Sequence, residues 1–207
     1  MQKSELTGII SLLETPRKIL ISTHTNPDGD AIGSSLAMYG YLKKKGHRVS
    51  VMIPDPDPAF LDWMPFHSSI LVFRDQQELC LAAIESAEVI FCLDYNGLER
   101  LSNADRPVRI AKATKILIDH HRDAAPDFDH KLSMVETSST CELVYDFIAG
   151  CGDADLIDED LNGHCIPDRY FGIAQAPQPV VVQAKYDDGI LNGRHTYLLL
   201  ILEYQYR

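Results

Sequence analysis

Apolar and polar residues follow one another along this chain in blocks that switch between the periods of helices and of buried strands. Residues 4–14 place Leu6, Ile9, Ile10 and Leu13 on one helical stripe. Residues 18–23 contain the unbroken apolar run Ile19-Leu20-Ile21, the pattern of a strand covered on both faces. Over 29–45 the helical period returns, with Ile32, Leu36, Tyr39 and Leu42 on one stripe. Lys43, Lys44 and Lys45 close that helix where cations suit its dipole, and Gly46 ends it. Further strands are predicted at 48–53, 88–93, 115–118 and 131–135, and further helices at 76–86 and 138–149. After the rigid Pro54-Asp-Pro-Asp-Pro58 loop a short helix is expected over 60–64, with Trp63 in the core rather than free to stack on a base. The alternation predicts an α/β fold, a doubly wound, mostly parallel sheet with helices on both faces.

The pattern changes near residue 161. Asn162-Gly163, Pro167, Pro177 and Pro179 interrupt any helical period, and 197–202 reads as a single buried strand. We therefore divide the chain into one α/β domain over 1–160 and an irregular C-terminal segment over 161–207. With 207 residues and 45% hydrophobic content, the chain can bury one good core. Its first residues are too interrupted for a signal peptide, and its longest late apolar run falls far short of the ~20 residues that span a bilayer. A membrane is therefore not an expected partner. A net charge of −11 excludes long duplex nucleic acid, whose binding rests on clustered Lys and Arg. Five cysteines without a Cys-x-x-Cys pair predict a reduced, cytoplasmic chain.

The chemistry concentrates in three places. His24-Thr-Asn-Pro-Asp-Gly-Asp30 follows the first strand, Asp94 follows the strand at 88–93, and Asp119-His120-His121 follows the strand at 115–118. Each has a plain reading alone: Asp-Gly-Asp as a turn, Asp94 as a helix cap, a His pair as a surface feature. Together they bring Asp and His to three strand ends on the sheet edge where open α/β folds place their sites. The joint pattern reads as a dinuclear metal site. An EF-hand loop opening at Asp28 fails, because Ile32 and Tyr39 stand where oxygen ligands are needed. No Gly-x-x-x-x-Gly-Lys loop and no Gly-x-Gly-x-x-Gly is present.

His-x-Asn-Pro-Asp-Gly-Asp-Ala-x-Gly-Ser, a later strand-end Asp and Asp-His-His resemble the motif series of the DHH phosphoesterase superfamily. The branch most resembled is that of the oligoribonuclease/pAp phosphatases, also described as exopolyphosphatase-like. The likeness runs from about residue 5 to residue 160 and includes Glu136-Thr-Ser-Ser-Thr-Cys-Glu142, which looks like the segment that opens the following helix. It implies a metal-dependent phosphoesterase acting on short oligonucleotides or 3′,5′-bisphosphorylated nucleosides (pAp). It implies two divalent cations, with Mn²⁺ favoured over Mg²⁺ by a donor set of imidazole and carboxylate. By this resemblance His24, Asp28 and Asp94 hold the first cation, and Asp30, Asp94 and His120 the second, Asp94 bridging. His121 faces the phosphoryl group as hydrogen-bond donor or leaving-group acid, and Asp119 orients an imidazole. Asn26 tightens the loop, and Ser34 and Ser35 face packing or a neighbouring loop rather than substrate. Arg100 is a candidate phosphate contact or a surface residue without a role, and Arg122 stands equally open. His47, His67, His130 and His195 show no ligand spacing.

Two departures from the family stand in 150–207: no Thr-Gly-x-x-x-Asp-Thr-Gly-like motif, and no second, substrate-binding domain. Asp187-Asp188-Gly189 is the remaining acidic turn that could replace the missing ligand. A reading-frame change or a gene-fragment boundary near residue 161 is expected, the alternative being a genuine divergent end; the other frames of the coding DNA decide between them. One cation is then expected to bind firmly and the other loosely. A pyrophosphatase or polyphosphatase using the same site, and a catalytically impaired remnant that binds metal or nucleotide, are the competing readings. The expected partner is a phosphorylated nucleotide or short oligonucleotide, and a homodimer is an open alternative for its assembly.

Overall fold

The unbroken apolar runs become the inner strands of one sheet. The computed structural model describes residues 3–158, which form six strands and five α-helices. The strands are β1 (Lys18–Ser22), β2 (Arg48–Ile53), β3 (Ile70–Val72), β4 (Val89–Leu93), β5 (Thr114–Asp119) and β6 (His130–Ser133). They lie in the order β3-β2-β1-β4-β5-β6, and every pairing is parallel. The α/β expectation holds, in its fully parallel form. The helices are α1 (Lys3–Leu12), α2 (Gly29–Lys44), α3 (Gln77–Ser86), α4 (Asp105–Ile110) and α5 (Thr140–Gly150). The ends of α1, α2, α3 and α5 fall within one or two residues of the expected ones, which is where capping decides the last turn.

Successive strand residues point to opposite faces, and both faces are buried. Ile19, Ile21, Phe91, Ile116 and Ile118 pack with Met38 and Tyr41 of α2 and Val144 and Phe147 of α5. Leu20, Ile90, Cys92 and Leu117 pack on the other side with Cys80 and Ile84 of α3 and Val108 of α4. This double burial is why β1, β4 and β5 read as unbroken apolar runs.

From β1 the chain winds outward to β2 and β3, and then returns to lay β4, β5 and β6 on the opposite side. The carboxyl ends of β1 and β4 therefore flank the point where the strand order reverses. Loops leaving neighbouring strands part to opposite faces there and leave a crevice. The loop from His24 to Asp30 and Asp94 both stand at it.

Four local features differ from the sequence expectation. β3 is a strand of three half-buried residues, too short to carry a pattern. The segment 98–110 holds a 3₁₀ stretch over Leu98–Ala104, kinked at Ser102, and then α4. The helix expected over 60–64 is a single 3₁₀ turn at Ala59–Leu61. Trp63 is not in the core: it is 60% exposed. One short turn can aim only one apolar side chain inward, and Leu61 takes that place beside Ile32, Leu36 and Ile53. The C-terminal segment 161–207, its expected strand at 197–202 and the acidic turn at Asp187-Asp188 lie outside the described residues. Among the described residues no helix is long and apolar enough to cross a membrane.

Candidate metal centre

The loop after β1 is pinned at both ends before any side chain converges. Thr23 donates its hydroxyl to the Leu93 carbonyl at 2.9 Å, and the Thr25 N–H donates to the Arg100 carbonyl at 2.9 Å. Asn26 takes a left-handed φ of 50°, a conformation that Asn tolerates better than most side chains. Asp28 then caps α2, its Oδ1 accepting the N–H groups of Asp30 at 2.9 Å and Ala31 at 3.1 Å. Ser34 and Ser35 are buried within α2, as expected.

His24 Nδ1 lies 2.8 Å from the Thr25 carbonyl, so its N–H is directed there and Nε2 is turned toward Asp94. Burial opposes protonation of His24. The contact with Asp94, the Thr25 carbonyl and the charges of Asp94 and Asp28 outweigh it and raise the pKa above the ordinary imidazole value.

Asp94 is the hub of the constellation. It adopts φ 65°, unusual for a non-glycine residue, and its N–H donates to the Ile118 carbonyl at 3.2 Å. Its Oδ2 lies 3.5 Å from His24 Nε2, and its Oδ1 lies 3.6 Å from His120 Nε2 and 3.9 Å from His121 Nδ1. These separations exceed hydrogen-bond length, so the donor atoms surround a common space rather than pairing off. Ligand atoms of His24, Asp28 and Asp94 all come within 4.8 Å of one another, and so do those of Asp94, His120 and His121. Mixed imidazole and carboxylate donors around buried negative charge fit a divalent ion of the Mn²⁺ type.

Asp30 sits deeper. Its Oδ2 accepts the Thr140 N–H at 2.8 Å and its Oδ1 the Cys141 N–H at 2.9 Å, both from the first turn of α5. The same Oδ2 is 3.7 Å from His120 Nε2. Burial and the charge of Asp94 push the Asp30 carboxyl up to about 6, against the pull of the α5 hydrogen bonds. Asp30 thus borders the group around Asp94 and His120 while being held by α5.

Asp119 and His121 are joined directly, Oδ1 to Nδ1 at 2.7 Å. Asp119 is fully buried, and its Oδ2 has no hydrogen-bond partner. The imidazole that Asp119 touches is therefore that of His121, whose side chain is 46% exposed. The side chains of Arg100 and Arg122 are exposed, and what ties Arg100 to the site is its backbone carbonyl.

Two features were missed by sequence reasoning. The hydroxyl of Thr140 donates to Asp94 Oδ1 at 2.9 Å, a contact across 46 residues that no local pattern announces. His67, given no role, comes within 4.8 Å of Asp57 and Asp62, its Nε2 bonded to Asp57 at 2.8 Å. That spacing spans two turns of an irregular loop and has no regular period to find.

Residues 18–172 match the DHH family, N-terminal domain. The chain is 33% identical over 151 residues to the bifunctional oligoribonuclease and PAP phosphatase of Thermus thermophilus, covering 68% of this chain and 38% of that protein. It is 33% identical over 112 residues to a probable manganese-dependent inorganic pyrophosphatase of Streptococcus mutans, covering 52% of this chain and 32% of that protein. Its fold superposes on the crystal structure of an exopolyphosphatase-related protein from Bacteroides fragilis with a TM-score of 0.76 and 36% identity, over 77% of this chain and 47% of that one. The chain spans less than half the length of each of these relatives.

Proposed function

Because the chain belongs to the DHH family, we propose that it carries the metal-binding domain of a phosphoesterase acting on short oligonucleotides or 3′,5′-bisphosphorylated nucleosides. The observation that carries this reading is the convergence on Asp94 of ligand atoms from the loops after β1 and β5. In it His24, Asp28 and Asp94 would hold a first Mn²⁺, and Asp30, Asp94 and His120 a second. Such ions supply Lewis-acid charge against the phosphoryl oxygens and a stronger nucleophile than bulk water at neutral pH.

The chain's own residues supply orientation and proton handling. Thr25 fixes the His24 ring through its carbonyl, and Asp28 holds the loop to α2 through its cap. Asp119 Oδ1 accepts a hydrogen bond from His121 Nδ1–H, so that in the imidazolium form the Nε2 proton is the one free to pass to the leaving oxygen. Arg100 is the candidate side chain for a substrate phosphate. The reducing cytoplasm is the proposed setting, which the free thiols Cys80, Cys92 and Cys151 support.

Pyrophosphate or polyphosphate is the second reading, favoured by the similarity to the Streptococcus mutans protein. Phosphate release from pAp and from pyrophosphate, and mononucleotide release from a dinucleotide, each with and without Mn²⁺, separate the two. Release from the nucleotides alone supports the first reading, and release from pyrophosphate alone replaces it. No Mn²⁺-dependent release from any of them leaves the impaired remnant.

A further inference from the structure

We infer that Thr140 is a positioning residue for the metal centre, its side-chain hydroxyl fixing Asp94 and its backbone N–H fixing Asp30. The inference rests on the metal reading of those two carboxylates and adds a residue to it.

Asp94 and Asp30 are 2% and 4% exposed, so solvent does little to disperse the charge of either carboxylate. Two such groups do not stay aimed at a common point without donors behind them. Thr140 serves both from one residue: Oγ1 to Asp94 Oδ1 at 2.9 Å, and N–H to Asp30 Oδ2 at 2.8 Å. Cys141 adds its N–H to the other oxygen of Asp30 at 2.9 Å. Thr140 is itself fully buried, so no solvent competes for its hydroxyl. Its branched Cβ limits χ1, which keeps that hydroxyl aimed.

The residue is placed by a cap that is legible in Ser138-Ser-Thr-Cys-Glu142. Ser139 Oγ accepts the Glu142 N–H at 3.1 Å, and Glu142 Oε2 accepts from the Ser138 N–H at 3.0 Å and the Ser138 hydroxyl at 2.8 Å. This fixes the first turn of α5, and with it the direction of the Thr140 side chain. Each carboxylate oxygen keeps a second lone pair for a ligand, so holding the groups from behind does not block them. Partners of this kind tune ligand affinity without touching the ion.

The test is Mn²⁺ calorimetry on the wild type, Thr140→Ser, Thr140→Val and Thr140→Ala, each at a temperature where circular dichroism shows it folded. The Val and Ala variants are expected to bind Mn²⁺ about 10–100-fold more weakly, and the Ser variant close to wild type. A merely structural role lowers thermal stability and leaves the affinity of the folded protein unchanged. If the Val variant does not fold, the Ser and Ala pair decides. Val or Ala binding like wild type, or Ser binding as weakly as Ala, overturns the role of the hydroxyl alone. A wild type that binds no Mn²⁺ overturns the metal reading, and the inference with it.

Discussion

His121 Nδ1 lies 2.7 Å from Asp119 Oδ1, a contact inside the Asp-His-His segment itself. The buried carboxylate accepts from Nδ1 and holds the half-exposed ring, so that an Nε2 proton of the imidazolium would be the one free to leave. Asp119→Asn keeps the shape and removes the charge. It is expected to lower turnover by at least about 10-fold, the range seen for outer partners of a site, with Mn²⁺ stoichiometry unchanged. Steady-state kinetics beside metal analysis of the same sample checks this, and loss of metal in Asp119→Asn would place Asp119 among the ligands instead.

The two adjacent histidines are expected to separate by role. His120 Nε2 stands 3.6 Å from Asp94 and 3.7 Å from Asp30, so His120→Ala should reduce bound Mn²⁺. His121→Ala should keep the metal and lose turnover by about 10²–10⁴-fold, the usual contribution of a general acid. Equal metal loss in both variants contradicts the division.

A further prediction concerns stability away from the site. Tyr41 on α2 donates its hydroxyl to Asp153 Oδ2 at 2.6 Å, and Lys45 Nζ donates to the same oxygen at 2.8 Å. Desolvation works to raise the Asp153 pKa, but the Lys45 and Tyr41 hydrogen bonds and the Lys45 charge overcome it and hold the carboxyl below its ordinary value. A depressed carboxylate contributes stability in full above the unfolded pKa of about 3.9, and loses it as pH falls through the folded value. Tyr41→Phe is expected to cost about 1–2 kcal/mol at pH 7 by urea unfolding. Asp153→Asn should also destabilise at pH 7, and its deficit should shrink as pH falls from the unfolded value of about 3.9 toward the lowered folded one. A deficit that stays constant down to pH 3 would mean that the charge of Asp153 contributes nothing.

The inner strands were legible because burial on both faces leaves unbroken apolar runs such as Ile19-Leu20-Ile21 and Val89–Leu93. The end of α2 at Gly46 was legible because capping chemistry is local. β3 and the kinked 98–110 segment were not, since three half-buried residues and a bend at Ser102 leave no period to read. Trp63 was misjudged because exposure belongs to tertiary packing: composition favours the core for Trp, yet Leu61 fills the available space. At the site, motif spacing pointed to the residues that gather on Asp94. It did not point to Thr140, because a hydroxyl that reaches across the fold to one carboxylate has no signature in one dimension.

The central claim is that one carboxylate, Asp94, serves two cation positions. Mn²⁺ titration calorimetry of the wild type and Asp94→Ala, with His24→Ala as the one-sided control, tests it most directly. Two positions are expected in the wild type, the one at His24, Asp28 and Asp94 the tighter. His24→Ala should weaken that position, and Asp94→Ala should abolish both. An Asp94→Ala protein that keeps the wild-type Mn²⁺ stoichiometry would contradict the account.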